Sequence, residues 1–348
     1  MDAASQELVK LSETVKTSVI PEKLKEGVLV RLEQLAKLTN SPTFLPEFDR
    51  INRYVEWMIS LPWNKRTQDV LDLDRAKKVL DKNHHGLDEI KSRILEYISI
   101  MKLKQEKGEG KDIMRAPILC FVGLVGTGKT TLGESISQAL GRRFARIPFG
   151  GMGDPLDLRG QSRMHPEAEP GKVIKTLRAT QSKNPVILLD EIDRVTDAGR
   201  ASIMGVLIEL LDPEQNHAFV DHYLDYPVDL SEVLFITTAN NTTNISTAVL
   251  DRLEPISMPS YSDAEKIMIG RNYMLPKILK ESGVDESSLV IEEDAWSLIV
   301  RPLGFDAGIR TLERTIEGIA RKVARLIVEG KIQTFKITSQ NIKEFLPQ

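Results

Sequence analysis

The chain has 348 residues, which at roughly 150 residues per domain implies two or three domains with ample length for a core. Hydrophobic residues make up 41% and charged residues 28%, a globular balance that excludes a disordered or fibrous chain. The 47 Lys+Arg against 50 Asp+Glu give a net charge of −3, and aromatics are only 5%; both argue against a dedicated nucleic-acid binder or base-stacking platform.

The first 60 residues read as helix. Leu24, Val28, Leu32, Leu35 and Leu38 recur at helical spacing on one face, with Pro21 at a tolerated first-turn position. After a break at Asn40-Ser41-Pro42, a second stripe runs through Phe44, Phe48, Ile51, Tyr54, Val55 and Met58. Such stripes are read as core or partner-helix contact. Leu61-Pro62-Trp63 ends this region. A helix is expected over Leu73–Leu80, capped by Asp72 or Asp74, and a longer one over Asp88–Lys104, followed by an exposed polar loop to Lys111.

The texture then changes. Pro117–Val122, Phe144–Ile147, Val186–Leu189 and Val233–Thr237 are short apolar runs alternating with helical segments, with Glu254–Met258 as a candidate fifth strand. That pattern predicts a doubly wound α/β domain around a parallel sheet. After about Pro259 the strands are expected to stop. Ser262–Lys280 and Asp294–Glu329 read as helix, with a short strand at Phe335–Thr338, giving a smaller, mostly helical C-terminal domain. The expected division is a helical entry at 1–80, an α/β domain at 81–260 and a smaller, mostly helical domain at 261–348.

Cys120 is the single cysteine. That leaves no internal disulfide and no cysteine-based zinc site, and fits a reducing compartment. No run approaches the roughly 18 consecutive apolar residues of a membrane span. Met1–Lys10 lacks the apolar core of a signal peptide. The expected location is the cytoplasm, with no membrane partner.

Gly123-Leu124-Val125-Gly126-Thr127-Gly128-Lys129-Thr130 matches G-x-x-x-x-G-K-[ST] directly after a strand and before a helix. Glycines let successive backbone N–H groups face a phosphate, and the helix start adds partial positive charge. Lys129 can reach the β- and γ-phosphates of ATP, and Thr130 can offer its hydroxyl to Mg²⁺. Thr131, the next residue of the helix start, is counted with the nucleotide contacts.

Val186-Ile187-Leu188-Leu189-Asp190-Glu191 places two acids at the carboxyl edge of the sheet beside that loop. Asp190 would hold Mg²⁺ and Glu191 would deprotonate the attacking water. Asn240, at the end of the next strand, is either a second ligand for that water or an ordinary turn residue. Hydrolysis needs cationic help with transition-state charge. Arg252 and Arg310 are candidates, with a surface ion pair as the competing assignment of each. The five histidines make no metal-ligand spacing, so no metal other than nucleotide-borne Mg²⁺ is expected.

With these pieces in place, the chain resembles the ATPase part of the Lon family of ATP-dependent proteases, a branch of the AAA+ ATPases, from about residue 20 to the end. Beyond the two nucleotide motifs, the resemblance rests on several segments. These are Tyr54-Val55-Glu56-Trp57 with Leu61-Pro62-Trp63, His84-His85-Gly86-Leu87, Leu211-Asp212-Pro213-Glu214-Gln215-Asn216, Asp221-His222-Tyr223-Leu224, and Ala307-Gly308-Ile309-Arg310 with Leu312-Glu313-Arg314.

The resemblance implies an AAA+ fold with a five-stranded parallel sheet and a helical lid. It places His85, Gly86 and Leu87 against the nucleotide base. It makes Asn240 the sensor-1 residue, Arg252 an arginine finger acting on a neighbouring subunit, and Arg310 the sensor-2 residue reaching from the lid. It also implies a homo-hexameric ring acting on polypeptide substrates in protein quality control.

Three departures stand against the family pattern. The phosphate loop is usually Pro-Pro-Gly-Val-Gly-Lys-Thr, whereas Leu124-Val125 precede Gly126 here. The substrate-gripping loop has His165-Pro166 where the family has an aromatic-aliphatic pair, within Met164-His165-Pro166-Glu167-Ala168-Glu169. No Gly-Pro-Ser-Ala nucleophile segment is present, so no Ser-Lys peptidase is expected on this sequence. The leading expectation is a Lon-type ATP-hydrolysing motor. The alternatives are the ATPase half of a protease whose peptidase lies on other sequence or a separate subunit, and a nucleotide-controlled scaffold with an altered loop.

Overall fold

The computed structural model describes residues 3–39, 41–108, 117–300, 308–331 and 334–346. Helices α1 (Ala3–Thr17), α2 (Glu22–Ala36) and α3 (Phe44–Ser60) form the entry. Leu24, Val28, Leu32 and Leu35 are buried along α2, as the spacing predicts. Leu38 lies past the end of that helix and is 42% exposed. Phe44, Tyr54, Val55 and Met58 are the buried stripe of α3. These side chains share one apolar cluster with Ile118, Cys120, Ile187, Leu189 and Phe235 of the sheet. The entry helices therefore cover a sheet face and have no separate core.

Helix α4 (Leu73–Asn83) is capped by Asp72, whose carboxylate accepts from Asp74 N and Arg75 N at 2.9 and 3.0 Å. Of the two cap candidates, Asp72 is the one used. Helix α5 runs Asp88–Glu106. Of the polar loop expected after it, residues 109–111 lie outside the described residues.

The central domain continues with β1 (Ile118–Val122), α6 (Lys129–Leu140), β2 (Phe144–Pro148), α7 (Leu156–Arg159), α8 (Lys172–Thr180), β3 (Val186–Asp190) and α9 (Arg200–Leu211). After it come β4 (Phe219–Val220), β5 (Pro227–Val228), β6 (Leu234–Ala239), α10 (Thr247–Leu250) and β7 (Leu253–Ser257). Five strands form a parallel sheet in the order β2-β3-β6-β1-β7. Leu119, Phe121, Leu188 and Ile236 pack into a second cluster with Leu132 and Ile136 of α6, on the face opposite Cys120 and Ile187. Both faces are covered, which is why the inner strands β1 and β3 read as near-continuous apolar runs. The candidate fifth strand is β7. The ladder between β4 and β5 was not expected: each strand has two residues, too few for any periodicity to show.

The C-terminal part contains α11 (Asp263–Ile269), a π-helical turn at Gly270–Met274, α12 (Leu275–Glu281), β8 (Leu289–Ile291), α13 (Glu293–Val300), α14 (Arg310–Val328), β9 (Phe335–Ile337) and α15 (Ile342–Phe345). Its own apolar cluster centres on Trp296, Leu312, Ile316, Ile319 and Val323. The expectation that strands cease after Pro259, apart from the tail, is corrected by β8. It pairs in parallel with β9, Leu289 opposite Phe335. Three residues after a 3-10 turn give too short a run for a strand signal. Within the helix expected over Asp294–Glu329, residues 301–307 lie outside the described residues. No described helix is long and apolar enough to cross a membrane.

Candidate nucleotide site

The phosphate loop leaves the carboxyl edge of β1 between its neighbours β6 and β7. Gly123 N–H donates to Ala239 O at 3.1 Å, tying the loop to β6. Gly126 and Gly128 take φ of +83° and +91°, a region that a Cβ disfavours. The loop then opens directly into α6, whose start carries the helix's partial positive charge.

Lys129 is buried at the base of the loop. Its ammonium donates to Gly123 O at 2.5 Å, Leu124 O at 2.9 Å and Asn240 Oδ1 at 3.3 Å. Burial pulls its pKa below the usual lysine value, while the negative charges of Asp190, Glu191 and Asp193 oppose that shift. Thr131 Oγ1 donates to Gly128 O at 2.8 Å, and Thr127 Oγ1 to Leu124 O at 2.9 Å.

The two acids hang from a parallel register. Leu189 of β3 stands opposite Thr237 of β6, so the next residues, Asp190 and Thr238, meet. The Thr238 hydroxyl donates to Asp190 Oδ1 and accepts the Glu191 N–H at 2.8 Å. Asp190 Oδ2 receives Arg146 Nε at 2.6 Å. Glu191 turns the chain at the strand end with φ of +57°, and its Oε1 lies 3.5 Å from Arg194 Nη1. Asn240 follows β6 on the same face as Thr238. Its Oδ1 faces Lys129, while its buried Nδ2 has no partner within the protein. A buried amide donor of this kind is rare unless a ligand or water completes it.

The lid closes one side of the loop. Ile309 N–H donates to Gly126 O at 3.1 Å. A Cβ on Gly308 would lie 2.3 Å from Val125 O, so only glycine permits this approach. Arg310 begins α14 at this contact, and its positive charge acts on Lys129. Ala307 lies outside the described residues. Tyr261 OH donates to Thr127 O at 3.1 Å, a second lid contact.

The His84–Leu87 turn lies between α6 and the lid. His84 is buried with Nε2 2.8 Å from Ser135 Oγ. Burial, then the Lys91 charge, hold its pKa down to about 4. The His85 ring centroid is 6.3 Å from that of Tyr273. Gly86 and Leu87 both take positive φ, at +63° and +59°, turning the chain into α5. Tyr273 sits on the π-helical turn and also donates to Asp81 O at 3.3 Å.

The fold thus gathers Gly123–Thr131, Asp190, Glu191, Asn240 and Arg310 around one loop, with His85–Leu87 on its flank. Arg252 is held elsewhere in this chain. Its Nη2 pairs with Asp212 Oδ2 at 2.9 Å and its Nη1 donates to Ala248 O at 2.7 Å. Asp212 also accepts Glu214 N and Gln215 Nε2, which explains the Leu211–Asn216 motif as a mount for Arg252.

Thr238 and Arg146 were missed as site residues. Thr238 could have been found from period two, because it shares a strand face with Asn240. Arg146 is a lone charge in an apolar run, but nothing in the sequence says that β2 neighbours β3.

The His165-Pro166 loop is closed by Gln161 N–H to Glu169 O at 3.1 Å, with Met164 82% exposed at its tip. Arg163 anchors it to α3, its guanidinium 4.0 Å from the centre of the Tyr54 ring. Buried Asp221 accepts three backbone N–H groups, from Gly171, Tyr223 and Leu224, at 2.7–3.1 Å. The Asp221–Leu224 motif therefore scaffolds the base of this loop.

Residues 119–260 match the family model described as ATPase family associated with various cellular activities (AAA), and residues 280–335 match the Lon protease AAA+ ATPase lid domain. Among curated proteins, the chain is 43% identical to the Lon protease of Lawsonia intracellularis over 99% of its own length and 40% of the relative's. It is 41% identical to Lon protease 2 of Herpetosiphon aurantiacus over 100% of its own length and 42% of the relative's. For the Lon protease of Halothermothrix orenii the figures are 42%, 94% and 40%. The chain thus spans about 40% of the length of these relatives. With an AAA core, a Lon lid and a nucleotide loop clamped between them, the chain belongs to the AAA+ ATPases as the ATPase part of the Lon family.

Proposed function

We propose that this chain is a Mg²⁺-dependent ATP-hydrolysing ring motor acting on protein substrates in cytoplasmic protein quality control. The observation that carries the nucleotide part is the buried Asn240 Nδ2, which has no partner within the protein, beside the Lys129 ammonium, with Asp190 and Glu191 hung from the adjoining strand. A polyphosphate fits this donor set: backbone N–H groups of the Leu124–Thr131 segment and a lysine at a helix start, with an amide from the end of β6 beside them.

When bound, MgATP supplies the phosphoryl group that is passed to water. Lys129 binds its phosphates. Thr130 and Asp190 would hold the metal, which would supply positive charge against the phosphate oxygens. Glu191 accepts the proton of the attacking water, and Asn240 orients that water. His85, Gly86 and Leu87 border the base. Arg310 reports the phosphate to the lid and stabilises developing charge. Arg252, on its Asp212 mount, acts on the neighbouring subunit of a homo-hexamer. A head-to-tail contact of that kind generates a ring when its rotation closes.

We divide the chain into an entry at 1–80, a nucleotide-binding domain at 81–260 and a lid at 261–348. The lid's separate apolar cluster supports the second boundary. A second reading, the ATPase half of a serine protease whose peptidase lies on further sequence or a separate subunit, is favoured by the relatives' printed names and the 40% of their length matched here. Light scattering with and without ATP and Mg²⁺ tests the ring. A hexamer with nucleotide is expected, and a monomer that turns over ATP at full rate contradicts it.

A further inference from the structure

We propose that Arg146 competes with the divalent metal for Asp190, and so sets how much metal the nucleotide site requires. The proposal rests on the nucleotide reading above. Arg146 stands on β2, one of the sheet's two outer strands, opposite Leu188 of β3. Asp190 is two residues further along β3 on the same face, within reach of a long side chain. The guanidinium meets one carboxylate oxygen twice, Nε at 2.6 Å and Nη2 at 2.5 Å from Oδ2. The other oxygen, Oδ1, is taken by the Thr238 hydroxyl.

The two partners of Asp190 differ in their freedom to leave. Thr238 is wholly buried and also holds the Glu191 N–H, so it cannot withdraw without moving Glu191. The Arg146 side chain is 47% exposed, while that of Asp190 is 5% exposed. Arg146 approaches from solvent and can swing back to it. A planar, permanently charged guanidinium covering Oδ2 leaves no room there for a hydrated divalent cation. Like charges repel, so the guanidinium and a divalent cation disfavour one another on this carboxylate. Arg146 therefore neutralises Asp190 before metal arrives and must yield when it does. It acts on the metal only through Asp190.

The test measures ADP affinity in EDTA, then titrates Mg²⁺ into the ADP-loaded protein and follows the change in ADP affinity. Wild type, Arg146→Ala and Arg146→Lys are compared. Removing an ion pair of this partly exposed kind should lower the Mg²⁺ half-saturation about fivefold in Arg146→Ala. Arg146→Lys, which keeps the charge but loses the two-donor contact, should fall between. A half-saturation unchanged or raised in Arg146→Ala, with ADP still bound, overturns the proposal. If Arg146→Ala does not fold, Arg146→Lys decides alone: a lowered half-saturation supports competition, and an unchanged or raised one refutes it. Wild type that binds no ADP would count against the nucleotide reading instead.

Discussion

Thr238 holds the backbone N–H of Glu191 on its hydroxyl at 2.8 Å while donating that same hydroxyl's proton to Asp190. One buried side chain thereby fixes both acids of the site. Thr238→Val keeps the shape and removes both contacts. A small misplacement of a reacting group costs up to about a hundredfold, so kcat for ATP should drop roughly ten- to hundredfold. The KM for ATP should change less. Leaving Asp190 short of a donor should also destabilise the fold by about 1–3 kcal/mol. Steady-state kinetics and thermal unfolding check both, and an unchanged kcat contradicts the assignment.

Arg310 starts the lid helix where Ile309 bonds the phosphate loop. Arg310→Ala should slow hydrolysis and blunt nucleotide-driven lid movement more than it weakens ADP binding. ADP affinity, measured beside kcat, separates these effects. If binding vanished and the fold melted together, Arg310 would be a structural residue.

Arg252 is mounted on Asp212 and takes no part in its own subunit's gathered set. If it serves the neighbour, Arg252→Ala should abolish turnover and spare ATP binding. Mixing Arg252→Ala with Glu191→Gln should restore partial turnover, because some interfaces then pair an intact Glu191 with an intact Arg252. No recovery in mixed rings would argue against action between subunits.

Buried His84 is held neutral, its pKa lowered to about 4 from 6.5. The unfolded chain takes up this proton below pH ~6.5 and the folded chain only near pH ~4. The histidine's contribution to stability is therefore full above pH ~6.5 and is lost as pH falls toward ~4. Between pH 7 and pH 5 it should amount to about 2 kcal/mol. Chemical denaturation of wild type against His84→Gln checks this, with a shallower pH dependence expected in the variant.

The nucleotide loop, the paired acids, Asn240 and the five central strands were legible because each is a local pattern. Apolar runs marked strands buried on both faces, and glycine, lysine and threonine at fixed spacing marked the loop. The family resemblance supplied the roles proposed for Arg252 and Arg310, for which chemistry alone favoured surface ion pairs. What stayed hidden depends on register and strand order. Thr238 meets Asp190 only because Leu189 pairs with Thr237, and Arg146 reaches it only because β2 lies beside β3. The ladder of β8 and β9 was hidden because it joins segments more than forty residues apart in the chain, Leu289 with Phe335.

The most direct test of the central claim is single-site: ATP turnover and ATP binding by Glu191→Gln beside wild type. The predicted result is loss of turnover with ATP retained, because the glutamine leaves the Lys129 and phosphate-loop contacts intact and removes only the proton acceptor. Undiminished hydrolysis in Glu191→Gln would contradict the assignment of Glu191 as the base and the hydrolytic mechanism built on it.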